Sequence, residues 1–122
     1  MPVVDVELVG EVVVTAGLTQ RLADAVGAAL ESRRGGTWVR VRELALDHYA
    51  ENGGLEDSVL PVFVTVLERV RPRGDALAER VVRVTAAVAE VTGRPVEHVH
   101  VLFEADAAGR LAFGGRVVPE PD

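Results

Sequence analysis

The 122-residue chain has no cysteine, so it can hold no disulfide framework, no thiolate nucleophile and no cysteine-ligated zinc, and its redox compartment is not written in it. Aromatic residues are scarce, at 4%. An excess of basic residues is missing too, because 13 Lys and Arg face 19 Asp and Glu, a formal net charge of −6. Nucleic acid and anionic membranes are gripped by a surplus of Lys and Arg, so neither is an expected partner. No apolar run approaches the roughly 18 residues of a membrane span. The opening residues carry Asp5 and Glu7 in place of the basic region of a secretory signal. The expectation is a small cytoplasmic domain with one aliphatic core.

Valine and alanine are abundant, and they are laid out in two periods. Val4, Val6 and Leu8 alternate with Asp5 and Glu7, which predicts a first strand. Leu18, Leu22, Ala25, Ala29 and Leu30 then form a helical stripe, with Arg33 and Arg34 expected in the last helical turn and Gly35-Gly36 ending it. A second alternating strand follows over Trp38-Val39-Arg40-Val41-Arg42, and residues 48–58 read as a connection.

The same order then returns. Pro61-Val62-Phe63-Val64 starts 59 positions after Pro2, and Gly74-Asp75 is expected to cap a helix with the stripe Leu77, Val81, Val84, Val88 and Val91. Gly93 and Pro95 stop that helix. His98-Val99-His100-Val101 answers Trp38-Val39-Arg40-Val41, and Gly114-Gly115 echoes Gly53-Gly54. A register held through strand, helix, strand and glycine pair predicts an internal duplication, with halves 1–57 and 58–122 forming a single domain. Each half is a β-α-β unit with room for a right-handed crossover. The fold class expected is α+β: a four-stranded mixed sheet with two helices on one face. The other face would be bare in a monomer, which predicts self-association.

Pro2 takes on chemical interest if Met1 is removed, because its freed secondary amine can then act as a base. An α-amino group ordinarily titrates at about 7.7–8.0, and nearby arginines and an apolar pocket lower that value. Arg71-Pro72-Arg73 supplies clustered guanidinium forks on an otherwise acidic protein, a local site for a carboxylate. Trp38 and Phe113 are candidates to wall the pocket, and Tyr49 is a candidate proton donor. His98 and His100 are expected on one strand face, but no third ligand accompanies them, so no metal is expected.

The amino-terminal proline, the doubled β-α-β unit and the run Gly93-Arg94-Pro95-Val96-Glu97-His98-Val99-His100-Val101 resemble the tautomerase superfamily. The second half is similar to a repeat of 4-oxalocrotonate tautomerase (4-OT), and Arg71-Pro72-Arg73 to the arginine pair of malonate semialdehyde decarboxylase. The resemblance implies a trimeric tautomerase fold with one site per chain and no cofactor. Pro2 would be the catalytic base, acting on a small anionic carboxylate held by Arg71 and Arg73. Arg40 matches an arginine in the strand of single-repeat members. Decarboxylation, or the hydration and dehalogenation of three-carbon acids, is an alternative activity, and a silent trimeric binding protein is another. The chain departs from the pattern in three places. Gly36-Thr37-Trp38 lacks the decarboxylase's acid, only Glu120 lies where the dehalogenases carry a glutamate, and Glu11-Val12 replaces an arginine after strand one.

Overall fold

Strict alternation makes the first strand the centre of the molecule. In the computed structural model, which describes residues 2–56 and 59–121, β1 (Val3–Val9) turns Val4, Val6 and Leu8 inward, each at most 1% exposed. The chain continues through α1 (Ala16–Ala29), β2 (Trp38–Leu44), β3 (Val62–Leu67), α2 (Gly74–Thr92) and β4 (Val99–Phe103). A small hairpin, β5 (Ala112–Phe113) with β6 (Arg116–Val117), follows across Gly114-Gly115. Both glycines of that turn have positive φ, as a two-residue hairpin loop requires.

The sheet order is β2-β1-β3-β4. β1 pairs with β2 and β3 with β4 in parallel, while β1 and β3 meet antiparallel with Val3 opposite Leu67 and Leu8 opposite Val62. Two β-α-β units are thus joined back to back at the centre of a mixed sheet, as the repeat predicted. The expected boundary between the halves, at residues 57 and 58, lies outside the described residues. The core lies between the sheet and the helices, where Leu22 and Val26 of α1 and Val84 and Val88 of α2 pack against the inward valines.

Helix ends differ from expectation in two places. Helix α1 stops at Ala29, with Leu30 as its cap and Glu31 in a left-handed conformation (φ 57°), so Arg33 and Arg34 lie beyond the helix. The cap of α2 is Arg73, not the Gly74-Asp75 pair; it adopts the extended backbone of a cap residue but makes no side-chain capping bond. Gly93 ends α2 in the left-handed region (φ 73°), donating its N–H to the Ala89 carbonyl. His98 falls in a single 3-10 turn, Val96–His98, and only His100 is on β4, so the expected shared strand face for the two histidines does not form.

The second sheet face carries no helix among the described residues. Asp5 and Arg40 pair on it at 2.7 Å and Glu7 and Arg42 at 3.8 Å. Beside them Phe63 stacks obliquely on His100, with ring centroids 5.5 Å apart. Trp38 and Leu102 are 54% and 57% exposed.

Candidate active site

One further step of the β1–β3 register sets Pro2 opposite Glu68, where β3 runs out into the segment Arg69-Val70-Arg71-Pro72. Pro2 is buried, and its carbonyl accepts from the Trp38 N–H at 2.9 Å, which fixes it between β2 and β3. The arginine segment is tied down by the chain after β4. Ala107 and Ala108 donate to the Glu68 and Arg69 carbonyls at 2.9 and 3.1 Å, and the Arg71 N–H donates to Asp106 Oδ1 at 2.8 Å. Pro2, Glu68, Arg69, Val70, Arg71, Pro72 and Arg80 together line a cleft of about 390 Å³.

Three arginines and one glutamate line that cleft, and one of the arginines pairs with the glutamate. Arg80, in the second turn of α2, bonds Glu68 Oε1 at 3.1 Å, and the Glu68 side chain is only 12% exposed. Burial pushes the Glu68 carboxyl above its ordinary value, and the Arg80 charge opposes that rise. Arg69 reaches the tail, donating from Nε to the Pro119 carbonyl at 3.0 Å. Arg71 is half-buried, and its Nε is enclosed with no hydrogen-bond partner among the described residues. A buried donor left unpaired is unfavourable. The arrangement can draw in a small anion and surround a proton-transfer group with positive charge.

Of the residues singled out in the sequence, Pro2 and Arg71 are brought together here. Arg73 caps α2, is exposed, and is not among the lining residues. Arg40 lies on the uncovered sheet face, where its hydrogen bond to Asp5 raises its pKa. Tyr49 donates to Glu51 at 2.6 Å and leans on Phe63, which pairs with Glu7 at the other end of β1 from Pro2. Phe113 packs edge-on against Trp38 with centroids 4.9 Å apart; Trp38 adjoins Pro2 through its backbone, and the two rings do not line the cleft. The Glu120 side chain lies over Gly109, where an added Cβ would come within 2.5 Å of it. Among the described residues no group of three or more His, Asp or Glu could hold a metal ion. Nor is any described helix long and apolar enough to cross a membrane.

Glu68, Arg69 and Arg80 line the cleft without having been singled out as site residues. The Glu68–Arg80 pair spans a strand end and a helix 12 positions on, a spacing that matches no local periodicity. Its only trace in the sequence is charge within otherwise apolar stripes. The repeat offers a contrast at the start of β3. There Arg94 fills the position beside Pro61, donating to the carbonyls of Leu60, Pro61 and Val9 at 2.6, 3.3 and 2.9 Å. At the Pro2 end, by contrast, the corresponding region opens as a cleft lined by Arg69, Arg71 and Arg80.

No family model and no curated protein sequence matches the chain. Solved structures do. A native fused 4-OT superposes with a TM-score of 0.76 at 16% identity, covering 94% of both chains. A fused 4-OT solved as an asymmetric trimer gives 0.73 at 20% identity, again over 94% of both. Malonate semialdehyde decarboxylase, whose structures were solved to explain decarboxylase and hydratase activities, gives 0.66 at 19% identity over 92% of this chain and 90% of that one. At these identities the likeness is one of fold, and the chain has the fused, two-repeat tautomerase fold.

Proposed function

We propose that this chain is a cofactor-independent tautomerase acting on a small 2-oxo or unsaturated carboxylate, with Pro2 as the proton shuttle once Met1 is removed. Met1 itself lies outside the described residues. The carrying observation is that Pro2, three arginines and one glutamate line a single cleft. The neutral Pro2 amine takes a proton from the carbon beside the substrate carbonyl, leaving an enolate whose negative charge settles on oxygen. The same ammonium returns the proton to a different atom, so the reaction needs no outside acid or oxidant. Arg71 holds the carboxylate and Arg69 faces the developing oxyanion, where charge stabilisation is worth most. Neighbouring positive charge disfavours the protonated amine and so favours its neutral, basic form. Arg73, at the rim, contributes longer-range attraction only.

The same reading carries a homotrimer, supported by the bare sheet face and by the trimeric assembly of a fused 4-OT of this fold. Decarboxylation or hydration of a three-carbon acid is favoured by one observation, the half-buried carboxyl of Glu68 in the cleft with Pro2, and by the activities of the decarboxylase of like fold.

Intact mass and an ultraviolet assay test these assignments together. Protein lacking Met1 should ketonise phenylenolpyruvate or 2-hydroxymuconate. Pro2→Ala should abolish turnover, and Arg71→Ala should lower kcat/KM by about a hundredfold, the scale of one lost charge-assisted contact in a transition state. Activity surviving Pro2→Ala overturns the mechanism. Turnover of malonate semialdehyde but of neither enol selects the decarboxylase. Retained Met1 with no turnover selects a binding protein.

A further inference from the structure

Glu68 is a charged side chain enclosed on the floor of a cleft that otherwise collects cations. Its carboxylate is fixed by Arg80 at 3.1 Å, and the register places it across from Pro2. A carboxylate there does not help to attract an anionic substrate, and burying it is unfavourable unless it has a task or a compensating partner. Arg80 is that partner, but it reaches down from α2, one layer below the strand pair. The pair therefore holds a negative charge at a fixed place beneath the amino-terminal residue.

We propose that Glu68, held by Arg80, is a positioning residue for Pro2: it accepts a hydrogen bond from the protonated Pro2 amine and sets how strongly that amine holds its proton. The proposal rests on the reading of Pro2 as the free first residue. Charged groups face Pro2 from each side. Arg69 and Arg71 come from the segment after β3 and Arg80 from α2, while Asp106, after β4, binds the Arg71 N–H and is not among the lining residues. β2 contributes only the Trp38 N–H. On β1 the nearest charge, Asp5, is on the opposite sheet face and bound to Arg40. Three cations against Glu68 weaken the amine as a base, and Glu68 limits that weakening. Without Glu68 the amine would be neutral over a wider pH range but too weak a base to take a carbon-bound proton efficiently. Burial raises the Glu68 carboxyl itself, in keeping with a negative charge partly withdrawn from water.

The test is a titration that does not depend on turnover. Protein labelled with 15N-proline is treated with methionine aminopeptidase until its intact mass shows loss of Met1. The Pro2 amine is then followed by NMR against pH. Glu68→Gln, which keeps the shape and can still meet Arg80, should make proton binding at Pro2 about tenfold weaker, the smaller end of the effect of removing one close charge. Arg80→Met should move the titration the opposite way, and Glu68→Asp should restore part of the wild-type value. Expected shifts in both directions without any turnover would uphold the role of Glu68 and reject the tautomerase. Turnover with an unchanged Pro2 titration in Glu68→Gln would overturn the role of Glu68 and leave the tautomerase standing. A shift in Arg80→Met alone also overturns it, because Arg80 would then act on Pro2 directly. Should Glu68→Gln fail to fold, the same decision falls to Glu68→Asp, in which a Pro2 titration identical to wild type counts against the proposal.

Discussion

Arg94 is a single side chain doing the work of a covalent tie. Its guanidinium bonds three carbonyls, from the end of β1 and the start of β3, and burial lowers its pKa without removing the charge at ordinary pH. Arg94→Met keeps much of the apolar stem and removes the donors, leaving carbonyls without partners. The expected loss is on the order of 2 kcal/mol, read as a lower urea midpoint with an unchanged slope. An unchanged midpoint would mean that water replaces the clamp at no cost. Glu68 gives a prediction of a different kind. Its carboxyl is raised in the folded chain, so its contribution to stability is full below its ordinary value and is lost as pH rises through the raised one. Glu68→Gln has no such loss. Relative to wild type it should therefore gain stability as pH rises above the ordinary carboxyl range, measured by urea unfolding at each pH. A pH-independent difference would show that Arg80 fully compensates the burial. At this scale the sequence was only partly legible. Pro2 and Arg71 could be picked out because a terminal proline and clustered arginines have distinctive chemistry. Glu68 and Arg80 could not, because what makes them a pair is a register and a helix approach fixed by tertiary packing.

At the scale of elements the valine periodicity did most of the work. Alternation in β1 became the buried strand face, and of the two stripes Leu22 and Ala29 of α1 and Val84 and Val88 of α2 are buried, with Val26 joining Leu22, while Leu18, Leu77, Val81 and Val91 are only partly buried against the core. The ends were less legible, since capping depends on one or two backbone angles that hydrophobic pattern does not encode. Thr15 caps α1, its Oγ1 accepting from the Leu18 N–H at 3.0 Å. Thr15→Ala should cost about 1 kcal/mol. Arg73 has the extended backbone of a cap (φ −133°, ψ 159°) but no capping side chain. Arg73→Asn should therefore stabilise α2 by up to about 1 kcal/mol. It should also leave most of the turnover intact, since Arg73 does not line the cleft. Denaturant midpoints of the two variants moving in opposite directions would support both assignments. A large fall in kcat/KM for Arg73→Asn would instead return Arg73 to the site.

The molecule as a whole presents one sheet face to its helices and the other to whatever lies outside the chain. The uncovered face is suited to burial against another copy. Asp5 and Arg40 form a two-pronged pair, with Nε–Oδ1 at 2.7 Å and Nη2–Oδ2 at 2.9 Å, and Glu7 approaches Arg42, so each of these two arginines has a carboxylate partner within the chain. Such exposed pairs add little to the stability of a monomer. Their balance matters more in an interface, where an unpaired charge would have to be stripped of water. Over β3 and β4 the face turns apolar and aromatic, with Phe63, His100 and Leu102. Light scattering should give about three times the 13.0 kDa of one chain. Leu102→Asp places an uncompensated carboxylate in the apolar half of that face, at a residue 57% exposed in the single chain and outside its core. The variant should sediment as a monomer while keeping the circular dichroism of the folded chain, because nothing inside the monomer depends on Leu102. A variant that remains trimeric would put the contact elsewhere, on the exposed Val13 and Val14 or the outer side of α2, and the bare sheet face would then need another explanation.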